Sequence, residues 1–276
     1  SIFVDETLRR AFKNSAGNTA DINMLLVLML RQAGINAEPV VLSTRSNGKV
    51  HPAHPTISKF NYVIAAVMTD EGNYLLDATH PNLPAGMLPY QCLNGQGRII
   101  SKTNSNWINL RSSGLFSNSI MQLLSLNPDG TLNGKVKKKS KGYSAYNLRE
   151  IINEETEEKY IEKIQDNNEG LLIEDYSFEA LDDISKDVTA SYDVEITGKA
   201  QVAGDMIYLN PMLYEKIDEN PFKIEERKYP VDFGCPIEDM YMLNLTIPEG
   251  YVVEELPEPA SLKLPDNKGM FLYNIQ

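Results

Sequence analysis

Gly17-Asn18-Thr19-Ala20-Asp21, followed by the run Ile22-Asn23-Met24-Leu25-Leu26-Val27-Leu28-Met29-Leu30, decides how this chain folds. Eight of the nine residues in that run are hydrophobic, Asn23 being the exception. The segment therefore reads as a core helix buried nearly all round, not a surface helix with one dry stripe. Its ends are marked. Thr19 suits the N-cap, and Asp21 sits in the first turn, where the helix dipole favours negative charge. Gly34 suits the left-handed position after the last turn, Ile35 can close that motif by an apolar contact, and Pro39 forbids continuation. These signals predict a helix from Ala20 to Ala33. The mouth of such a helix lowers the pKa of a cysteine and turns it into a thiolate nucleophile. Here that place holds Thr19.

Outward from this stretch, Val4, Leu8, Ala11 and Phe12 recur at helical spacing and predict a short amphipathic helix upstream. Downstream, Glu38 to Arg45 reads as a strand, and the loop from Ser46 to Ser58 holds Gly48, Pro52 and Pro55. Phe60 to Met68 is apolar on both faces except at Asn61, as a strand covered on both sides would be. Asp70-Glu71-Gly72-Asn73 marks a hairpin turn, and Tyr74 to Asp77 returns as the next strand. Three antiparallel strands on a buried helix are expected. Because side chains alternate with period two, a two- or four-residue loop places Tyr62 and Asp77 on one sheet face.

Residues 79–114 are rich in Pro, Gly and Asn and read as a long wrap around this core. At 276 residues the chain has room for two domains, expected at 1–114 and 115–276. In the second part Pro128-Asp129-Gly130 marks a hairpin, and Ser144 to Gln165 reads as one helix with a stripe of Leu148, Ile151, Ile152, Ile161 and Ile164. Alternating strands at Tyr192–Thr197 and Tyr241–Ile247 complete the expectation of a C-terminal β-sandwich with one helix, and hence of an α+β chain.

The net charge is −12 and the isoelectric point about 4.8. Such a balance argues against nucleic acid and anionic membrane surfaces, which need a basic patch. The one basic cluster, Lys135, Lys137, Lys138, Lys139 and Lys141, reads as a solvated edge strand guarded by lysines. No run approaches the length that spans a bilayer. The chain opens at Ser1 without Met or a signal peptide and reads as a processed product or a fragment. Two cysteines, Cys92 and Cys235, exclude a disulfide scaffold and a four-thiolate zinc site. His51 and His54 are two possible ligands where a metal needs three or four, so neither metal nor cofactor is expected.

The block Gly17-Asn18-Thr19-Ala20-Asp21, then Leu25-Leu26, Met29-Leu30-Arg31 and Gly34-Ile35-Asn36-Ala37, resembles the transglutaminase core, a papain-like fold with a buried helix on a small antiparallel sheet. The likeness continues through Phe60-Asn61-Tyr62-Val63, where the family has its histidine strand, and Leu75-Leu76-Asp77-Ala78-Thr79, where it has its aspartate. Asn220-Pro221-Phe222, the run from Arg227 to Phe233 and Ile247-Pro248-Glu249-Gly250-Tyr251 resemble the all-β domain of unknown role that follows this core in bacterial multidomain proteins. The chemistry of the family needs a thiolate, a histidine to carry its proton and an aspartate to orient the histidine. The three places here read Thr19, Tyr62 and Asp77. An internal threonine lacks the amine that activates the known threonine nucleophiles, and a phenol with a reference pKa of ~10 is a weak base.

The resemblance therefore implies a catalytically silent, extracytoplasmic module, periplasmic or at the cell surface, with a vestigial cleft for a peptide, a protein or a cell-surface component. An alternative is an amide hydrolase or acyl transferase using Cys92 as nucleophile with His80 as base, both in the wrap after the third strand. A third reading makes the β domain the working part, as an adhesion or glycan-binding surface.

Overall fold

The computed structural model describes the chain except for residues 104, 112, 217, 218, 221, 224, 225, 227 and 229. Pro221, Arg227 and Tyr229, which carry part of the C-terminal likeness, fall outside the described residues. The protein is of mixed α+β type. In chain order it forms α1 (Leu8–Asn14), α2 (Thr19–Gln32), β1 (Ala37–Leu42), β2 (Tyr62–Thr69), β3 (Gly72–Leu76), β4 (Gln96–Ile99) and β5 (Trp107–Asn109). There follow β6 (Phe116–Leu126), β7 (Leu132–Gly142), α3 (Tyr143–Glu154), α4 (Glu157–Asp166), β8 (Leu171–Glu179), β9 (Val188–Ile196), β10 (Ala200–Ala203), β11 (Met206–Leu209), β12 (Ile237–Thr246), β13 (Ala260–Lys263) and β14 (Met270–Tyr273).

The helix that opens the fold starts one residue earlier than its residue types suggest, and its cap differs. Asn18, not Thr19, is the N-cap: its side-chain oxygen accepts from the N–H groups of Ala20 and Asp21, and the Asp21 carboxylate accepts from the Asn18 N–H in return. The box satisfies three otherwise orphaned donors, the N–H groups of Asn18, Ala20 and Asp21. Gly17 permits it, because a Cβ there would stand 2.6 Å from Asp21 Cβ. Nor is the helix dry all round. Ala20, Asn23 and Val27 are buried against β1 and β2, whereas Leu28 and Met29 are 45% and 56% exposed. Among the described residues α1 packs on the outer side, and at seven residues it is too short to cover it.

The first sheet has order β3-β2-β1-β4-β5 and is antiparallel throughout. It is wider than the three expected strands because the wrap contributes β4 and β5. The turn between β2 and β3 is two residues long, Asp70 and Glu71, with Thr69 opposite Gly72. Residue 62 therefore falls opposite 79, and the side chains of residues 62, 77 and 79 share one face.

In place of a β-sandwich with one helix, the C-terminal part forms a single five-stranded sheet of order β12-β6-β7-β9-β8, with β12 parallel to β6 and the other pairs antiparallel. Two helices, not one, pack on it. The expected long helix breaks at Glu155 and Thr156, where Thr156 leaves helical geometry and its hydroxyl caps α4 by accepting from Lys159 N. Tyr160, Ile161 and Ile164 of α4 then cover Ile173, Tyr192 and Val194, which occupies the face a second sheet would have used. The lysine-rich strand is central, not an edge. β7 lies between β6 and β9, and period two puts Lys135, Lys137, Lys139 and Lys141 on the open face, where Asp193 and Asp187 pair with Lys135, Lys139 and Lys141. β10–β11 and β13–β14 are separate two-stranded ribbons.

The two large sheets meet at the start of α3. Gly142 has φ +56°, and a Cβ there would stand 2.2 Å from the Leu115 carbonyl oxygen, so this junction requires glycine. Past it, the chain turns Tyr143 into the core of the first sheet, where its hydroxyl donates to Leu88 O at 2.6 Å and its ring packs on Phe116 and Tyr90. On the other side of α3 the buried guanidinium of Arg149 donates to the carbonyls of Ala180, Leu181, Asp183 and Lys186 at 2.7–2.9 Å. It holds the loop between β8 and β9.

Arg149→Ala leaves those carbonyls without their donor and should lower the unfolding free energy by about 3 kcal/mol or more in urea titrations. Arg149→Lys should recover less than half of the loss, because an ammonium lacks the planar fork.

Candidate functional site

Tyr62 is the first residue of β2 and Asp77 follows β3 directly; Tyr62 shares a core cluster with Ile64, Ala66 and Cys92, whereas Val27 of α2 packs with Ala65 on the other face of the sheet. The Tyr62 hydroxyl donates to Asp77 Oδ2 at 2.8 Å. On the other carboxylate oxygen, Oδ1, Asp77 accepts from the Thr79 hydroxyl at 2.6 Å, the Thr79 N–H at 2.7 Å and Asn23 Nδ2 at 3.1 Å. The Tyr62 and Thr79 hydroxyls are 3.0 Å apart. Each has one proton, and each directs it at the carboxylate. The cluster is therefore an arrangement of donors around one carboxylate.

Asn23 explains why a polar residue interrupts the apolar run. It is fully buried on the inner face of α2, donates to Val63 O at 2.9 Å and accepts from Ala78 N at 2.9 Å. It joins the helix to β2 and to the chain leaving β3. Its one sequence signal was its isolation among hydrophobic residues.

Cys92 sits at the end of a 3-10 turn, Tyr90–Cys92, and is fully buried beside this cluster. Burial, and then the charge of Asp77, push its thiol pKa well above the ordinary range, and a hydrogen bond with the Tyr62 hydroxyl offsets only part of this. The same causes in the same order, burial and then Asp77, push the Tyr62 phenol well up. Both groups are neutral in the native protein.

Thr19, the first residue of α2, is half-buried, and among the described residues no hydrogen bond joins it to Tyr62 or Asp77. His80 is drawn elsewhere. Its Nδ1 is 3.0 Å from the Tyr146 hydroxyl, which donates to Glu150 Oε2 at 3.2 Å, while Asn82 donates to Glu150 Oε1 at 2.6 Å. Tyr146 and Glu150 belong to α3, so the C-terminal half supplies part of the lining. Burial, followed by Glu150, raises the Tyr146 pKa to about 12, and Asp77 adds to the effect. No hydrogen bond among the described residues links Cys92 to His80. Nothing in the sequence singled out Tyr146 or Glu150, because their placement depends on Gly142.

No helix of the described residues is long and apolar enough to cross a membrane. Among those residues no three His, Cys, Asp or Glu side chains are grouped to hold a metal ion. His51 and His54 stack with ring centres 5.7 Å apart. Cys92 and Cys235 are both free thiols, and Cys235 packs on the same core cluster that contains Cys92.

Residues 205–276, the last 72 of 276, match a family described as a domain of unknown function with a solved structure, DUF3858. That region holds β11 to β14 and agrees with a C-terminal, β-rich domain of unknown function. No transglutaminase-like family matches the chain. No curated protein and no solved structure matches it either.

The raised acidities set a pH dependence with a definite sign. Unfolded, the Cys92 thiol titrates near ~8.5 and the Tyr62 phenol near ~10. In the native state both hold their protons to higher pH, so on raising the pH the unfolded chain loses protons first. Stability is then intact below about pH 8 and falls progressively above about pH 9. Urea midpoints measured from pH 7 to 10.5 should decline, and the decline should flatten in the Cys92→Ala, Tyr62→Phe double variant. Tyr62→Phe alone should cost about 1–3 kcal/mol at pH 7, because an oxygen of Asp77 loses its donor.

Proposed function

We propose that this chain is a catalytically silent relative of the transglutaminase-like proteins, acting outside the cytoplasm as a binding or structural module. The observation that supports it is the contact between the Tyr62 hydroxyl and Asp77. Where the family's chemistry needs an imidazole to take a proton from the nucleophile, this chain has a phenol that keeps its proton and donates a hydrogen bond to the carboxylate. Thr19 has no base beside it among the described contacts, and losing two members of a cooperative triad removes nearly all of the rate that the triad supplies, roughly a millionfold in serine proteases. Residues of the resembled cleft are retained while its reactive groups are replaced, which suits capture of an extended peptide, a protein segment or a cell-surface component. The extracytoplasmic setting rests on the family resemblance.

The competing reading, an amide hydrolase or acyl transferase with Cys92 as nucleophile, draws on the nearness of its thiol to Tyr62 and Asp77. Full burial and a pKa pushed upward by a neighbouring carboxylate are the reverse of what activates a cysteine. His80, the base this reading assigns, is engaged by Tyr146.

Incubated with glutaminyl peptides and a primary amine, the protein should release no ammonia and form no cross-link. Acyl transfer or amide hydrolysis that disappears in Thr19→Ala would overturn the proposal. Cys92 should resist iodoacetamide at pH 7.5 until denaturant is added, and rapid native labelling with peptide turnover would favour the competing reading. The double variant Thr19→Cys, Tyr62→His should gain a native thiol that alkylates faster than free cysteine at pH 7. No such gain would mean that positions 19 and 62 do not face one another.

A further inference from the structure

On the side of α2 away from Asn23, a shallow groove runs between α1 and α2. Leu8 and Phe12 form one wall; Leu25, Leu28 and Met29 form the other. Phe12 is 65% exposed, Met29 56% and Leu28 45%, so three large apolar side chains stand together in water. Scattered surface hydrophobics need no explanation, but a contiguous row of them marks an interaction surface.

The row has helical geometry. Leu25, Leu28 and Met29 stand at i, i+3 and i+4, and Leu8 and Phe12 at i and i+4, so each wall of the groove is a helical ridge of the kind a third helix packs against. A strand gains nothing here, since neither helix leaves a row of backbone donors and acceptors open. Met29 adds an adaptable, unbranched side chain that accommodates different apolar partners.

Charge narrows the occupant further. In a chain of net charge −12, the charged residue lining this groove is Arg9, and Lys13 stands one turn further along the same helix. Among the described residues the ion pair on α1 is Arg10 with Glu6, and none engages Arg9 or Lys13. An anionic membrane surface would also meet this row of apolar and basic groups, but attachment there takes a cluster of several lysines and arginines, more than Arg9 and Lys13 supply.

We propose that the groove between α1 and α2 is a docking site for an amphipathic helix of a partner protein, with its apolar stripe on Phe12, Leu25, Leu28 and Met29 and acidic residues beside Arg9 and Lys13. The site uses the outer face of α2 and is independent of the chemistry at Tyr62 and Asp77.

A fluorescently labelled helical peptide of about 16 residues, with Leu at i, i+3, i+4 and i+7 and Glu on its flanks, tests this by anisotropy on the full chain. A peptide with the same stripe and Lys flanks, and one with Glu flanks and a Ser stripe, serve as controls. The acidic amphipathic peptide should bind, and each control should bind at least ~10-fold more weakly. Leu28→Glu should weaken binding by at least ~10-fold, and Arg9→Glu should shift preference towards the Lys-flanked peptide. Both residues are exposed, so neither change threatens folding, and circular dichroism verifies it. Equal binding of the three peptides, no binding, or binding untouched by Leu28→Glu overturns the proposal. So does sedimentation showing a dimer that Leu28→Glu dissolves, which assigns the groove to a second copy, or co-sedimentation with vesicles of phosphatidylglycerol and phosphatidylcholine that the same change abolishes.

Discussion

One buried carboxamide sets the geometry on which the first half of this protein depends. Asn23 enters a helix face that is otherwise apolar, and a polar side chain in that position is costly unless every one of its bonds is made. Its donors go to Val63 O and Asp77 Oδ1, and its oxygen takes the N–H of Ala78. These bonds tie α2 to β2 and to the residues that leave β3, and they fix where the Asp77 carboxylate points. Sliding the helix by one residue would break all of them at once, whereas an apolar residue at position 23 would leave the register free.

The properties of the neighbouring groups follow from that fixed anion. A carboxylate held in a partly dry place attracts donors and repels further negative charge. Tyr62 and Thr79 therefore turn their hydroxyl protons towards it, and the Tyr62 phenol and Cys92 thiol ionise only at higher pH than usual. A catalytic triad uses its acid in the opposite way, to stabilise a cation forming on an imidazole. Here no group beside Asp77 becomes a cation. Asp77 here accepts from a tyrosine hydroxyl and not from an imidazole.

Much of this arrangement was readable from residue types, and what was not has specific causes. The shared face of Tyr62 and Asp77 followed from strand parity and a two-residue turn, both local properties. The N-cap was misplaced by one residue because Thr19 and Asn18 are both good caps, and the choice depends on Asp21 reaching back to the Asn18 N–H. Hydrophobicity alone overstated the burial of α2, since an apolar residue reports what it prefers and not what is present to cover it, as Leu28 and Met29 show. Alternation in β7 identified which residues share a face but could not identify neighbours, so a central strand with a charged open face read as an edge. Cys92 and His80 are close in the sequence, yet the turn at Tyr90–Cys92 buries the thiol beside Tyr62 while Tyr146 holds the imidazole.

That last separation shows how the two halves of the chain jointly build the site. The backbone bend at Gly142 starts α3 in a direction that sinks Tyr143 into the first sheet's core and, one turn later, brings Tyr146 to His80 and Glu150 to Asn82. Phe116 and Cys235 pack on the same core from β6 and from the segment before β12, and Arg45 reaches back to the Asp232 carbonyl while its guanidinium lies over the Tyr90 ring. The link from Arg45 to Asp232 spans 187 residues of sequence. Any shift of α3 on its sheet would therefore reach His80 through Tyr146. Arg149 limits such a shift, because its guanidinium anchors the opposite side of α3 to the loop between β8 and β9. α3 is thus held by hydrogen bonds on both of its sides.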